Sequence, residues 1–346
     1  MDEQTLIILL IQLTALTGIV GSLLLYLLCK VRTKSHTYDA EFPSLNVGTG
    51  RSVLLTSCDT GFGLQLALHL SALGFRVFAG FRPTGEDDGE CGDSDAVKIL
   101  RAKLKAREAA MGVEGVAKVT FGSTITLPLD VTREDSLHEA VNVVRRHLPA
   151  GEDGLWAVIN TAGVCYKGRL DQQDSCHWDA MLKVNVIGTL RTARAFLALL
   201  RNKQGRLINI GAGADTGAVG GLVAYSATRQ AVAGAAASLR AELGPLGVRV
   251  ITLNTDSTSD RLFLRLRVMN QDAEATSLER YLKCSVHVVP DSALEVVEEA
   301  ILSPTPKPCY TLPLSLPHNY VTNYLTAITD RFANLQCKKK PQETVP

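Results

Sequence analysis

Residues Arg51–Gly63 read R-S-V-L-L-T-S-C-D-T-G-F-G, and this stretch decides the fold. Its apolar first half predicts a buried strand, and the L-Q-L-A-L-H-L run that follows predicts a helix. Between them, the turn with Gly61 and Gly63 would let backbone N–H groups approach a phosphate at the positive end of the helix. The stretch therefore predicts the first strand–turn–helix unit of a nucleotide-binding domain.

Strand and helix patterns alternate through the chain that follows. Further strands are predicted at Phe75–Phe81, Ile125–Leu129, Leu155–Ile159, Leu207–Ile210 and Val248–Leu253, and helices near Ala96–Met111, Arg133–Leu148, His177–Leu200 and Ala224–Leu243. Strands and helices that alternate at this spacing form parallel sheets covered by helices on both faces. We therefore predict an α/β fold with a doubly wound parallel sheet of the Rossmann type. Past Leu253 the pattern weakens to a helix at Ser257–Lys283 and a short strand at Tyr310–Leu312.

The N-terminal segment Leu6–Cys29 carries no charged residue. As a helix it would be about 36 Å long, which is enough to cross a hydrocarbon core of about 30 Å. Asp2 and Glu3 precede it where a cleaved signal peptide would carry basic residues. Lys30, Arg32 and Lys34 follow it, and the positive-inside rule places that end in the cytosol. We predict a transmembrane helix and a cytosolic domain, in the endoplasmic reticulum membrane or, as second choice, a mitochondrial membrane.

These patterns divide the chain into five parts. They are a tail at 1–5, the anchor at 6–29, a basic and polar linker at 30–50, the Rossmann-type domain at 51–317, and an amphipathic helix with a tail at 318–346. The last helix could pack on the domain or lie on the membrane surface, since Lys338–Lys340 follow it.

Composition excludes several classes of function. With 21% charged residues, a net charge of +1 and no basic stripe with interleaved aromatic residues, the chain does not suit nucleic acid. The 8 cysteines include no C-x-x-C pair, so we predict reduced thiols and no metal site.

Tyr225 and Arg229 are four residues apart on a predicted helix, so their side chains share one face. A phenol beside a fixed cation is a suitable proton donor, because the positive charge lowers the pKa of the phenol from about 10. The alternative interpretation is a surface pair with no chemical role.

Five motifs carry a family resemblance. They are T-S-C-D-T-G-F-G at 56–63, L-D-V-T at 129–132, L-W-A-V-I-N-T-A-G-V at 155–164, V-N-V-I-G-T at 184–189, and the helix that bears Tyr225. In this order, residues 51–253 resemble the short-chain dehydrogenase/reductase family. The residues of several motifs are most similar to those of one branch of the family, the membrane-anchored retinol, hydroxysteroid and D-β-hydroxybutyrate dehydrogenases.

The resemblance implies a nicotinamide dinucleotide cofactor. Its expected contacts are Ser57, Asp59, Gly61, Phe62, Gly63, Arg82, Asp130, Asn160, Ala162, Gly163, Tyr225 and Arg229. Asp59 would repel the 2′-phosphate of NADP, whereas Arg82 could accommodate it. The sequence leaves NAD and NADP open, with NAD slightly favoured.

The resemblance also implies a catalytic set, and this chain departs from it at two positions. Tyr225 is the expected proton donor or acceptor, and Asn185 is expected to support a water relay. Arg229 stands where the family has lysine, and the two side chains are not equivalent in shape. The family's serine falls at Gly211 or Ala212, and neither residue has a side-chain donor.

Two hypotheses follow. The first is a membrane-anchored NAD(P)-dependent oxidoreductase that acts on a lipophilic alcohol or ketone, such as a steroid or retinoid. The second is a catalytically impaired relative that binds a dinucleotide or lipid as a scaffold or regulator. The resemblance further implies a homodimer formed through the long helix and the helix that bears Tyr225.

Overall fold

The computed structural model describes residues 47–83, 94–111, 122–212, 220–255, 260–266 and 281–314. The predicted anchor at 6–29, the predicted C-terminal helix at 318–346 and most of the linker at 30–50 lie outside the described residues. Within the described residues, no helix has both the length and the apolar character that a membrane crossing needs.

A parallel sheet forms the centre of the domain. Within the described residues its strands are β1 (Ser52–Leu55), β2 (Arg76–Phe81), β3 (Thr124–Pro128), β4 (Ala157–Asn160), β5 (Arg206–Ala212), β6 (Arg249–Thr255) and β7 (Cys309–Leu312). They are ordered β3-β2-β1-β4-β5-β6-β7, with every neighbouring pair parallel. The order reverses between β1 and β4, and open sheets of this kind bind ligands in the crevice at that point.

Helices cover both faces of the sheet. They are α1 (Gly61–Ala72), α2 (Asp95–Met111), α3 (Glu134–His147), α4 (Ser175–Met181), α5 (Thr189–Lys203), α6 (Val223–Leu243) and α7 (Asp291–Leu302). Val53 and Leu55 of β1 pack into a core with α1, α2 and α7, whereas Leu54 faces a second core formed with α3, α5 and α6. Because alternate strand residues are buried on both sides, the predicted doubly wound sheet is confirmed.

The predicted helix at His177–Leu200 is confirmed, and it contains a π-helical turn that the sequence analysis did not predict. A π-helical turn at Leu182–Gly188 separates α4 from α5. Within it, the backbone carbonyl of Asn185 accepts a hydrogen bond from the Thr189 hydroxyl at 2.7 Å. Turns of this type are often found at functional sites, and this one carries the predicted catalytic Asn185.

Candidate functional site

The glycine-rich turn between β1 and α1 is tightly closed. Thr60 caps α1, and its Oγ1 accepts a hydrogen bond from the Gly63 N–H at 3.2 Å. A Cβ atom at Gly63 would lie 1.8 Å from the carbonyl oxygen of Ser57, so only glycine fits there. The Ser57 hydroxyl donates to the Asp59 carboxylate at 2.5 Å. The turn thus holds a buried carboxylate beside the first turn of α1.

Polar groups also gather at the carboxyl ends of β2 and β3. The Asp130 carboxylate accepts hydrogen bonds from the backbone N–H and the hydroxyl of Thr132 at 2.8 and 2.7 Å. Arg82 Nε lies 3.6 Å from the other oxygen of Asp130, and the arginine side chain is half exposed. This pair lies where the family resemblance places the adenosine end of a dinucleotide.

The loop after β4 crosses the switch point of the sheet. The Ala162 N–H donates to Thr56 Oγ1 at 3.1 Å, which ties this loop to β1. A Cβ atom at Gly163 would lie 2.5 Å from both Arg229 Nη2 and Phe263 Cε1, so the loop passes very close to these side chains. The Asn160 amide is buried and donates to the Asn209 side chain at 2.7 Å, so its donor is used inside the sheet.

A cavity of about 60 Å³ lies among these groups. Of the predicted cofactor residues, Ser57, Asp59, Arg82, Asp130, Ala162 and Gly163 line it. The structure does not place the others on its wall: Gly61, Phe62, Gly63, Asn160, Tyr225 and Arg229 are absent from its lining. The sequence analysis missed several lining residues, namely Thr56, Thr60, Leu129, Val131, Thr132, Val164, Val184, Phe263 and Arg265. Those next to a recognised motif could have been found from it, but no local pattern marks Phe263 or Arg265.

Tyr225 and Arg229 lie together at the start of α6, and both are buried. Arg229 Cζ is 5.1 Å from the centroid of the Tyr225 ring and 4.4 Å from that of Phe263. Arg229 Nη1 donates to the Ile210 carbonyl at 3.0 Å. Nε and Nη2 have no hydrogen-bond partner among the described residues. Unpaired buried donors cost about 1–3 kcal/mol each, so a ligand oxygen placed here would recover that cost.

Asn185 connects the β4 loop to α6. Its Oδ1 accepts from the Val164 N–H at 2.8 Å, and its Nδ2 donates to the Val164 carbonyl at 2.9 Å and to Thr228 Oγ1 at 3.0 Å. The Thr228 hydroxyl donates in turn to the Tyr225 carbonyl at 2.7 Å. Asn185 is fully buried and does not line the cavity, and its bond to Thr228 links the β4 loop to the helical turn that carries Tyr225.

The structure distinguishes between the two positions expected for the family's serine by the space around position 211. A Cβ atom at Gly211 would lie 2.5 Å from Thr252 Cγ2 and 2.9 Å from Asn254 Oδ1. Position 211 therefore has no room for a serine side chain, because these neighbours lie on the adjacent strand β6. Position 212 is left as the site at which a serine can be tested.

Comparison with known proteins identifies the family. Residues 90–263, which are half of the chain, match the family described as short chain dehydrogenase. The chain belongs to the short-chain dehydrogenase/reductase family. The resemblance seen in its motifs is therefore confirmed.

Its curated relatives include two kinds of dehydrogenase. The chain is 34% identical over 233 residues to mitochondrial D-beta-hydroxybutyrate dehydrogenase of Bos taurus, covering 67% of this chain and 60% of that protein. It is 32% identical over 206 residues to estradiol 17-beta-dehydrogenase 2 of Mus musculus, covering 59% and 47%. Human 17-beta-hydroxysteroid dehydrogenase type 6 is 31% identical over 206 residues, covering 57% and 54%. The matched part spans roughly half of each relative's length.

A solved structure supports the fold. A metagenomic short-chain oxidoreductase in complex with NADP is 20% identical to this chain, with a TM-score of 0.57, covering 78% of this chain and 99% of that one. At this identity the likeness supports the parallel Rossmann-type architecture alone.

Proposed function

We propose that this protein is an NAD(P)-dependent oxidoreductase that interconverts a lipophilic alcohol and the corresponding ketone, with steroids and retinoids as the substrate class. Family membership supports oxidoreductase chemistry, and the names of two relatives specify steroid substrates. The observation that carries the proposal is the buried Tyr225 ring with the Arg229 guanidinium 5.1 Å from its centroid.

The chain's own residues would handle the proton. A nicotinamide dinucleotide, when bound, supplies or accepts the hydride. Tyr225 would donate its phenolic proton to the carbonyl oxygen of a ketone, or accept a proton from an alcohol in the reverse direction. The fixed charge of Arg229 would stabilise the phenolate that remains. Asn185 would act through Thr228, whose hydroxyl bonds the backbone carbonyl of Tyr225, and would so hold the helical turn that carries the phenol.

The residues present fit a dinucleotide. The glycine-only turn at Gly63 brings backbone amides to the start of α1, which suits a pyrophosphate. Asp130 and Arg82 lie at the predicted adenosine end, and Gly163 lines the same cavity. We propose NAD as the preferred cofactor, because the buried Asp59 carboxylate disfavours the extra phosphate of NADP.

A second candidate function, a scaffold with little turnover, rests on the residues at the serine and lysine positions. Gly211 has no room for a donor, and arginine replaces the lysine that the family uses beside the tyrosine. Loss of one such donor costs about 10²- to 10³-fold in rate. A dinucleotide- or lipid-binding scaffold with little turnover would tolerate this loss, whereas an enzyme requires the substrate or another group to compensate.

We further propose that residues 6–29 anchor the protein in the endoplasmic reticulum membrane, with a mitochondrial membrane as second choice. The uncharged run and the basic residues after it support the anchor. A membrane location suits the proposed substrates, because steroids and retinoids partition into bilayers.

A homodimer through α5 and α6 is also proposed. Leu182, Ile187 and Leu190 on the π-helical turn and α5 are large apolar side chains that are between 39% and 47% exposed. A second copy that packed on them would remove this surface from water. Light scattering on the purified protein would give twice the mass of the chain if the proposal is correct.

Binding and turnover test the proposed function together. NAD(H) and NADP(H) are titrated into the purified full-length protein by calorimetry, and turnover is measured on panels of steroids and retinoids. We expect binding of a dinucleotide and turnover of at least one panel member. Binding without any turnover would contradict the enzyme hypothesis and favour the scaffold.

A further inference from the structure

A short segment of the chain lies across the proposed dinucleotide site. Residues 262–266, here called the strap, come after β6 in the chain and pair with the backbone of the glycine-rich turn. Thr60 and Arg265 form an antiparallel β-bridge between the turn and the strap. Leu262 and Phe263 are buried, whereas the Leu264 side chain is 57% exposed.

The strap forms backbone hydrogen bonds with the glycine-rich turn. The Gly61 N–H donates to the Leu264 carbonyl at 3.2 Å, and the Leu266 N–H donates to the Asp59 carbonyl at 3.1 Å. Gly61 is the first residue of α1, and N–H groups at this end of a helix are the ones that bind phosphate. The Leu264 carbonyl oxygen therefore accepts a hydrogen bond from the N–H group that a pyrophosphate oxygen would need.

Side chains fix the strap in the same place. Arg265 Nε lies 3.1 Å from Asp59 Oδ2, and the Asp59 side chain is 12% exposed while that of Arg265 is 45% exposed. The Phe263 ring lies against Arg229 at 4.4 Å and edge-on to Tyr225 at 6.3 Å between centroids. It also contacts Gly163, where a Cβ would lie 2.5 Å from Phe263 Cε1. The ring thus covers the pair on which the proposed chemistry depends.

The cavity that remains beside the glycine-rich turn is small. The cavity of about 60 Å³ is far smaller than the roughly 300–1,000 Å³ of ordinary ligand sites. Phe263 and Arg265 of the strap form part of the cavity wall, so the strap and a dinucleotide bound at the turn would compete for the same space.

We propose that the strap is an autoinhibitory segment that competes with the dinucleotide for the glycine-rich turn and for the surface of Arg229. The inference rests on the proposed function, since it takes the cleft as the dinucleotide site. Only molecules with the strap displaced bind the cofactor, so the apparent affinity falls by the fraction that is open. Phe263 and the Arg265–Asp59 ion pair hold the closed state.

Two variants of the full-length protein test the strap. Phe263→Ala removes the ring, and Arg265→Ala removes the ion pair. We expect each to bind NADH about tenfold more tightly than the unsubstituted protein, because each raises the open fraction. Lys307→Ala is the matched control, since it removes an exposed cation paired with Glu299 at 3.3 Å outside the cleft. Thermal unfolding shows that each variant is folded.

The outcomes separate the two proposals. If the unsubstituted protein binds NADH and either strap variant binds it equally or more weakly, the strap inference is overturned and the proposed function stands. If only the strap variants bind, both are supported. If neither NADH nor NADPH binds to any variant, both are overturned.

Hydrogen exchange on the unsubstituted protein gives a test that needs no variant. When NADH binds, the Leu266 amide should exchange faster, because it loses the Asp59 carbonyl. The Gly61 amide should stay protected, because phosphate replaces the Leu264 carbonyl. Slower exchange at Leu266 would show that the strap stays on the turn, and would overturn the inference.

Discussion

The Arg229 guanidinium lies 5.1 Å from the centre of the Tyr225 ring, and both side chains are buried at the start of α6. Among the described residues, one hydrogen bond, from Nη1 to the Ile210 carbonyl, ties the guanidinium to the end of β5. In this position the arginine keeps the charge that the family's lysine provides, but its planar group cannot reproduce the contacts of an ammonium. The proposed proton donor thus has its electrostatic partner in an altered form.

Restoring the family's residues should raise activity. We expect the double variant Arg229→Lys with Ala212→Ser to increase kcat about 10²- to 10³-fold, because it supplies the missing donor and a compact cation. The measurement is steady-state turnover of the best substrate found in the panel. Gly211→Ser is the matched control, because Thr252 Cγ2 leaves no room at that position and a serine there should lower stability without raising kcat. No gain in the double variant would indicate a site specialised around arginine.

Cofactor selectivity should depend on Arg82. Its side chain is 50% exposed beside Asp130, where a 2′-phosphate would approach. Arg82→Glu should weaken NADPH binding by about 10- to 100-fold, because a charge-assisted hydrogen bond is worth about 1.5–3 kcal/mol. NADH binding should change much less, and the unsubstituted protein should bind NADH more tightly than NADPH. Calorimetry with both cofactors checks this, and an equal loss for both would show that Arg82 does not read the phosphate.

Replacing Asn185 should first of all lower the free energy of unfolding, ahead of any effect on catalysis. Its amide donates to the Val164 carbonyl and to Thr228 Oγ1, and an aspartate in its place would lose both donors and leave a buried charge. We expect Asn185→Asp to lower the free energy of unfolding by about 2–4 kcal/mol. Urea denaturation measures this, with the exposed Asn142→Asp as the matched control. A stable Asn185→Asp protein would mean that these bonds do not position α6.

The predicted anchor should hold the protein in membranes. Two arginines at its centre, Leu16→Arg and Val20→Arg, should release the full-length protein into the soluble fraction after alkaline extraction. Each costs about 2.5–3.5 kcal/mol at the middle of a membrane helix. Leu16→Ile with Val20→Leu keeps the apolar character and should stay in the membrane fraction. Extraction of the unsubstituted protein by alkali would contradict the anchor.

Local sequence patterns were enough for the sheet and for most of its helices. Apolar runs such as Val53–Leu55 and Leu207–Ile210 became central strands because both faces of the sheet are covered. The helix α7 was missed, although buried Ala293, Leu294, Val297 and Ile301 recur at helical spacing and could have revealed it. The π-helical turn at Leu182–Gly188 was also missed, because it accompanies contacts of Asn185 with a distant loop.

The candidate site was predictable where a motif is continuous in sequence. The glycine-rich turn, Asp130 and the Tyr225 helix each lie where their motif indicated. The strap was not predictable, because Arg265 and Phe263 meet Asp59 and Arg229 only through the tertiary fold. No spacing rule relates residues so far apart in the chain.

Transfer of isotopic hydrogen tests the central claim most directly. NADH that carries deuterium at the hydride position is incubated with the full-length protein and a ketosteroid, and the alcohol is analysed by mass spectrometry. The account predicts one deuterium in the product and a rate about 10²- to 10⁴-fold lower in Tyr225→Phe. Tyr310→Phe, which removes a buried hydroxyl on β7 that accepts from the Lys307 N–H at 3.0 Å, should keep the rate. Bound NADH with no deuterium in any product, or an unchanged rate in Tyr225→Phe, would contradict it.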